Sequence, residues 1–141
     1  GLGAPLGAVL AGSEEFIAGA RRYKHAFGGA LRQAGIVAAG CLHALDHHLE
    51  RLAEDHANAR RLASGLAAID SIAVVNPEPE TNIVLFDPGT RRPVAEFLAR
   101  LRERGVSMSA VGARVRAVTH LDVDAAAIAR AVGAVAALTK E

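Results

Sequence analysis

At Asp70 the apolar residues of this chain change period, and the change divides what its two parts can fold into. Beyond that point short β-branched runs replace helical spacing. Residues 72–75 and 82–86 are separated by a turn containing Pro77 and Pro79, which is the pattern of two neighbouring strands. Pro93 opens a helix that runs to Arg104, with Val94, Phe97, Leu98 and Leu101 facing inward and Gly105 ending it. Residues 106–109 and 115–118 read as a second strand pair joined through Gly112. Asp124 caps a last helix carrying Ile128, Val132, Val135 and Leu138. From about residue 70 onward the spacing therefore predicts ββαββα, an antiparallel sheet with helices on one face.

Before Asp70 the chain is mainly helical. Ser13 is placed to cap a helix over 14–27, with Glu14 and Glu15 in its first turn and Gly28 and Gly29 ending it. Residues 31–45 form a segment apolar on most sides, and from Leu49 a longer amphipathic helix follows. Residues 6–10 read as one strand. The fold class is α+β: one strand and three helices, then ββαββα. A lone strand cannot satisfy its own backbone, and a helix apolar on most sides cannot stand in water, so the first 50 residues expect a partner surface.

Composition narrows the partners. The 141 residues are 51% hydrophobic, but 31 of them are Ala, which leaves a core of one domain's size. The net charge of +1 carries none of the basic excess that nucleic acid or an anionic membrane would attract, so a small molecule or a protein is expected instead. The charge-free runs 1–13 and 33–45 are too short to span a bilayer. Cys41 is the single cysteine, which excludes an intramolecular disulfide and fits a reducing, cytoplasmic setting. The first run has no basic segment before it and does not follow a Met, so it does not read as a signal peptide, and a start at Gly1 suggests a processed or partial chain.

Several residues could carry chemistry. Gly1-Leu-Gly-Ala-Pro-Leu-Gly7 lacks the preceding strand and following helix of a dinucleotide loop. His43 and His47 lie four apart on a helix with His48 beside them, but no Glu follows the first His and a third ligand is not evident. They read as solvated helix-face residues, with no metal expected. Cys41 reads as a small core hydrophobe. Arg32 follows a Gly-rich stretch that a ligand could approach closely, and could hold an anion or only a salt bridge. Arg116 alternates with Val115 and Ala117 in a strand. It could stand exposed, or it could clamp a carboxylate with its two terminal nitrogens.

Taken together, Gly1-Leu-Gly-Ala-Pro-Leu-Gly7, Gly28-Gly-Ala-Leu-Arg-Gln33, Arg51-Leu-Ala-Glu-Asp-His-Ala-Asn-Ala59, Thr81-Asn-Ile-Val84 and Arg116-Ala-Val-Thr-His-Leu-Asp-Val123 resemble, in order, the C-terminal portion of the threonine aldolases. Those are pyridoxal-phosphate-dependent enzymes of the β-eliminating lyase superfamily, of fold type I. The resemblance implies retro-aldol cleavage of β-hydroxy-α-amino acids such as threonine and allo-threonine to glycine and an aldehyde. It implies pyridoxal 5'-phosphate as cofactor and a homo-oligomer, dimer or tetramer. It also implies that the lysine anchoring the cofactor directly precedes Gly1 and that an N-terminal half is missing, so that this chain alone is inactive. By the same likeness Arg32, His25, Gly1 and Gly3 belong to the cofactor site, and Arg116 holds the substrate α-carboxylate. Lys24 and His25 stand where many members have Arg and Lys, and Ala30 replaces a common Gly. Asn82 and His120 fall within matching motifs and could serve packing as well as catalysis. Residues 1–48 would then end a large cofactor-binding domain, 49–70 would be a connecting helix, and 71–141 a small C-terminal domain. The alternative is a stand-alone, non-catalytic interaction domain.

Overall fold

A computed structural model describes all 141 residues. The elements in order are α1 (Glu14–Ala26), α2 (Ala34–His48), α3 (Leu52–Ala67), β1 (Ala73–Val74), β2 (Ile83–Asp87), α4 (Val94–Glu103), β3 (Ser109–Val111), β4 (Arg114–Val118) and α5 (Ala125–Leu138). They fall into two compact units, Leu2–Glu50 and Arg51–Glu141, and Gly1 groups with the second. No helix is long and apolar enough to cross a membrane.

In Arg51–Glu141 the four strands form one antiparallel sheet in the order β1-β2-β4-β3, so β2 and β4 are central. Alternation along these strands sends Val84, Phe86, Val115 and Ala117 to one face, where Leu62 and Leu66 of α3, Phe97 and Leu101 of α4, and Ile128 and Val135 of α5 cover them. Each of the larger of these side chains, Ala117 excepted, stabilises the fold by roughly 1.5–3 kcal/mol when taken out of water. The α3 and α5 backbones approach closely because Gly65 lacks a side chain: a Cβ there would lie 2.7 Å from Val132 Cγ2.

This is the ββαββα order that the hydrophobic spacing predicts, with one strand shifted. The sequence places the third strand at 106–109, but β3 spans Ser109–Val111. The chain leaves α4 through Gly105 at φ +73, and the Val106 amide donates back to the Leu101 carbonyl, so these residues are occupied in ending the helix. Pro93 is the N-cap of α4, one residue before its first turn.

In Leu2–Glu50 the expectation of a strand at 6–10 is wrong: these residues have no regular structure, and every strand of the chain lies in the other unit. With no strand beside it, a short apolar run finds no ladder to join. The two helices themselves form as expected, although α2 begins at Ala34 rather than at residue 31, after Gln33 takes a left-handed conformation. No residue of α1 is buried and only Ala44 of α2 is, while Phe16, Phe27, Ile36 and Leu42 lie exposed.

Gly89 tests the tertiary fit of β2 to the loop before β1. It sits at φ +58, and a Cβ there would overlap the Ser71 carbonyl oxygen. We predict that Gly89→Ala destabilises the protein by at least about 2 kcal/mol in urea unfolding, from left-handed strain and this clash together. A change below about 0.5 kcal/mol, within the range of neutral surface substitutions, would sink the argument.

Candidate functional site

Within Leu2–Glu50, the Gly-rich start of the chain is laid along α2. His48 donates from Nδ1 to the Leu2 carbonyl at 2.6 Å, and the Cys41 thiol donates to the Leu6 carbonyl at 3.6 Å. Cys41, expected as a simple core hydrophobe, is only partly buried and does this tethering. Gly3 turns the chain at φ +74, a conformation that disfavours any side chain. Gly40 lets Pro5 approach, since a Cβ there would lie 2.9 Å from Pro5 Cδ.

The stretch between α1 and α2 carries His25 and Arg32. Helix α1 ends in a two-bond cap, with the Gly28 amide on the His25 carbonyl at 3.2 Å and the Gly29 amide on the Lys24 carbonyl at 2.7 Å. The ring of His25 donates from Nδ1 to the Arg21 carbonyl at 2.8 Å. A carbonyl can only accept, so Nδ1 carries the proton and Nε2 is left for another partner. Arg32 is exposed and forms no ion pair. Directly after it comes Gln33, the one non-glycine residue with positive φ, which starts α2 without a side-chain cap. An unpaired guanidinium beside uncapped N-terminal amides is a setting that favours an anion.

His43, His47 and His48 sit on the last turns of α2. The rings of His43 and His47 stack at 4.2 Å between centroids, and His43 meets His48 edge-on at 5.5 Å. Stacked rings direct their nitrogens in parallel rather than toward one point, and no group of three His, Cys, Asp or Glu is placed to hold a metal.

Within Arg51–Glu141, Arg116 stands on the sheet face away from the helices, opposite Leu85 on one side and Ser109 on the other. Its Nε donates to Ser109 Oγ at 3.3 Å, and the same hydroxyl donates to the Arg116 carbonyl at 3.3 Å. Arg116 forms no ion pair, so both terminal nitrogens are available to a carboxylate. His120, just past β4, accepts at Nδ1 from the Asp122 amide at 3.3 Å.

Four of the motifs quoted above meet in one polar network that their spacing alone did not reveal. Asp55 is 1% exposed in the core-facing stripe of α3 and pairs with Arg51. Its main-chain carbonyl accepts from Thr119 Oγ1 at 2.7 Å. Asn82 donates from Nδ2 to the Thr119 carbonyl at 2.7 Å, and the Thr119 amide returns a bond to the Asn82 carbonyl at 2.9 Å. Asn58 donates to the Val123 carbonyl at 2.9 Å. Gly1 lies against the same group: a Cβ there would lie 2.7 Å from Leu52 Cδ2 and 3.5 Å from Asp55 Oδ2. The available signal was the spacing of Asp55 to Ala59, Leu62 and Leu66, which places a carboxylate on an apolar stripe. Asn82 and Thr119 serve packing here by clamping β2 to β4.

The sequence pattern of the beta-eliminating lyases matches residues 1–88. The chain belongs to the beta-eliminating lyase family. Among curated members it is similar to low-specificity L-threonine aldolase 1 of Arabidopsis thaliana, 37% identical over 85% of this chain and 34% of the relative. It is similar to low specificity L-threonine aldolase of Escherichia coli O157:H7, 36% identical over 87% of this chain and 35% of the relative. The low-specificity L-threonine aldolase of Candida albicans is 32% identical over 81% of this chain and 30% of its own length. The chain thus spans about a third of the length of these family members. Lyases of this family use pyridoxal phosphate in general. The charge of Arg32 and the uncapped amides of α2 are of the chemistry that a phosphate requires, whereas the only lysines, Lys24 and Lys140, lie at the end of α1 and just past α5.

The network makes a stability prediction. Asp55→Ala leaves Arg51, whose Nε is buried with no partner, without its counter-ion. Breaking one side of a buried pair costs about 3–5 kcal/mol, and because Arg51 is partly exposed we predict the lower end. Equal unfolding midpoints in guanidinium for the variant and the parent would contradict this.

Proposed function

We propose that this chain is the C-terminal part of a pyridoxal-phosphate-dependent threonine aldolase that cleaves β-hydroxy-α-amino acids to glycine and an aldehyde. The observation that carries the reading is the unpaired guanidinium of Arg116, displayed on an open sheet face in a chain similar to several low-specificity threonine aldolases. Residues 1–48 are assigned to the end of a large cofactor-binding domain of fold type I, 49–70 to a connecting helix, and 71–141 to a small C-terminal domain. The parent enzyme is assigned as a cytoplasmic homo-oligomer. The exposed Phe16, Phe27, Ile36 and Leu42 support this, since a surface of that kind must be covered in the finished molecule.

In this reading Arg32 and the first amides of α2 hold the cofactor phosphate, and His25, whose Nε2 has no partner, is assigned to the same site. Gly1 and Gly3 are assigned to the cofactor site by the likeness to the family alone. When bound, pyridoxal phosphate supplies the electron sink that carbon–carbon cleavage at Cα requires. Arg116 binds the substrate α-carboxylate through its two terminal nitrogens and fixes how the Cα–Cβ bond is presented. Orienting a scissile bond in this way contributes several kcal/mol to lowering a barrier. Lysine cannot replace it, because an ammonium offers no planar fork.

Two outcomes are predicted. In the full-length protein, Arg116→Ala lowers kcat/KM for threonine by about 30-fold to 1,000-fold, the loss of a charged hydrogen-bonded pair, and leaves the cofactor absorbance in place. Unchanged kinetic constants would remove Arg116 from the site. The 141-residue chain alone, mixed with pyridoxal phosphate and reduced with borohydride, is labelled sparsely at Lys24 and Lys140 and releases no glycine from threonine. Stoichiometric labelling of Lys24 with turnover would overturn the reading.

A further inference from the structure

Arginine carries five N–H donors, and what it can do for a ligand depends on which of them the protein has already used. On the outward face of β4 two arginines, Arg114 and Arg116, stand two residues apart, and neither forms an ion pair. They differ in one respect. Arg114 has no side-chain hydrogen bond, whereas Arg116 is engaged at Nε alone by Ser109 Oγ at 3.3 Å. Ser109 is placed for this by register, as the direct cross-strand neighbour of Arg116. Its own proton goes to the Arg116 carbonyl at 3.3 Å, so its oxygen presents lone pairs to the guanidinium.

We propose that Ser109 is a positioning residue that acts through Arg116. By taking Nε it removes rotations of a long side chain that would otherwise be lost on binding, and it holds the guanidinium in one orientation with both terminal nitrogens still unpaired. A two-point clamp on a planar carboxylate needs that orientation, and a freely rotating arginine must give up rotamer entropy to reach it. The alternation of β4 fixes where Arg116 starts, and Ser109 fixes where its tip ends. The inference rests on Arg116 as the carboxylate-binding residue and adds a residue that determines how tightly the amino acid is held.

The test is a double-mutant cycle in the full-length, cofactor-loaded enzyme, with Ser109→Ala, Ser109→Thr, Arg116→Ala and the pair Ser109→Ala with Arg116→Ala. Each is read by KM and kcat for threonine and by the calorimetric Kd for glycine. Ser109→Ala is expected to raise KM and the glycine Kd together by about three- to tenfold, the cost of immobilising one rotamer-rich side chain on binding, with kcat unchanged. Ser109→Thr keeps the hydroxyl on a strand that tolerates β-branching and is expected to restore both constants. Ser109→Ala is expected to add nothing once Arg116 is already Ala. The assignment of Ser109 is overturned if Arg116→Ala is impaired while Ser109→Ala leaves KM and Kd unmoved. An equal penalty for Ser109→Ala in both backgrounds overturns it too, since a residue that merely supports the fold would behave so. Failure of Arg116→Ala to change any constant instead refutes the carboxylate site itself, and Ser109 with it.

Discussion

The pairing of β2 with β4 is the contact on which the Arg51–Glu141 unit depends. Each half of the ββαββα sequence could form only a two-stranded ribbon and a helix, which is marginal in water. Joining the second strand of each half gives a four-stranded sheet with one continuous apolar face. Four residue pairs, from Ile83 with Val118 to Phe86 with Val115, set that register. At one end the ladder is prolonged by Asn82 and Thr119, and Thr119 also reaches the Asp55 carbonyl on α3. Sheet and helix layer are therefore locked by directional bonds as well as by packing. Phe86 and Val84 can be fully buried because the helices are held over them in one place.

Much of this unit is legible in the sequence because local and tertiary demands agree there. The strand runs alternate, Gly105 and Gly112 stand where positive φ is needed, and Asp124 caps α5 through a bond to the Ala127 amide at 2.7 Å. The shift of β3 was not legible, since Val106 and Met108 are as strand-prone as the residues that pair; only the return of the Val106 amide to α4 decides between them. At the other end of the chain, residues 6–10 are apolar without a strand to join; Val9 is their one β-branched residue and Gly7 and Ala8 disfavour a strand, so hydrophobicity alone misled. Arg32 and Arg116 stand out in the sequence as candidate anion-binding residues, and in the structure both are exposed and without an ion pair. The network around Asp55 was not legible, because a carboxylate on a helix normally reads as solvated surface and only burial shows otherwise.

Leu2–Glu50 poses the opposite case. Its first helix is capped by local sequence, with Ser13 accepting from the Phe16 amide at 3.3 Å, whereas α2 has no side-chain cap, and the two bury almost nothing of their own. Capping and propensity hold single helices only weakly, and most helical stability in proteins comes from packing of an apolar face. A unit of this composition is thus specified locally before it is stabilised globally. That order suits a segment whose apolar neighbours are contributed from elsewhere in a larger molecule.

The hairpin between β3 and β4 has a two-residue loop with Gly112 at φ +60, and this turn sets which side chains of β4 look outward. Side-chain direction in a strand has period two, so one residue added to or removed from β4 beyond the turn would send Arg116 into the core and Val115 into solvent. A change of two would keep the faces and only move the arginine along the sheet. Inherited variation in this hairpin should therefore be filtered by parity. A substitution at exposed Ala113 is cheap and one at Gly112 strained, and even-numbered length changes are tolerable, while odd-numbered ones exchange the inside of the protein for its outside.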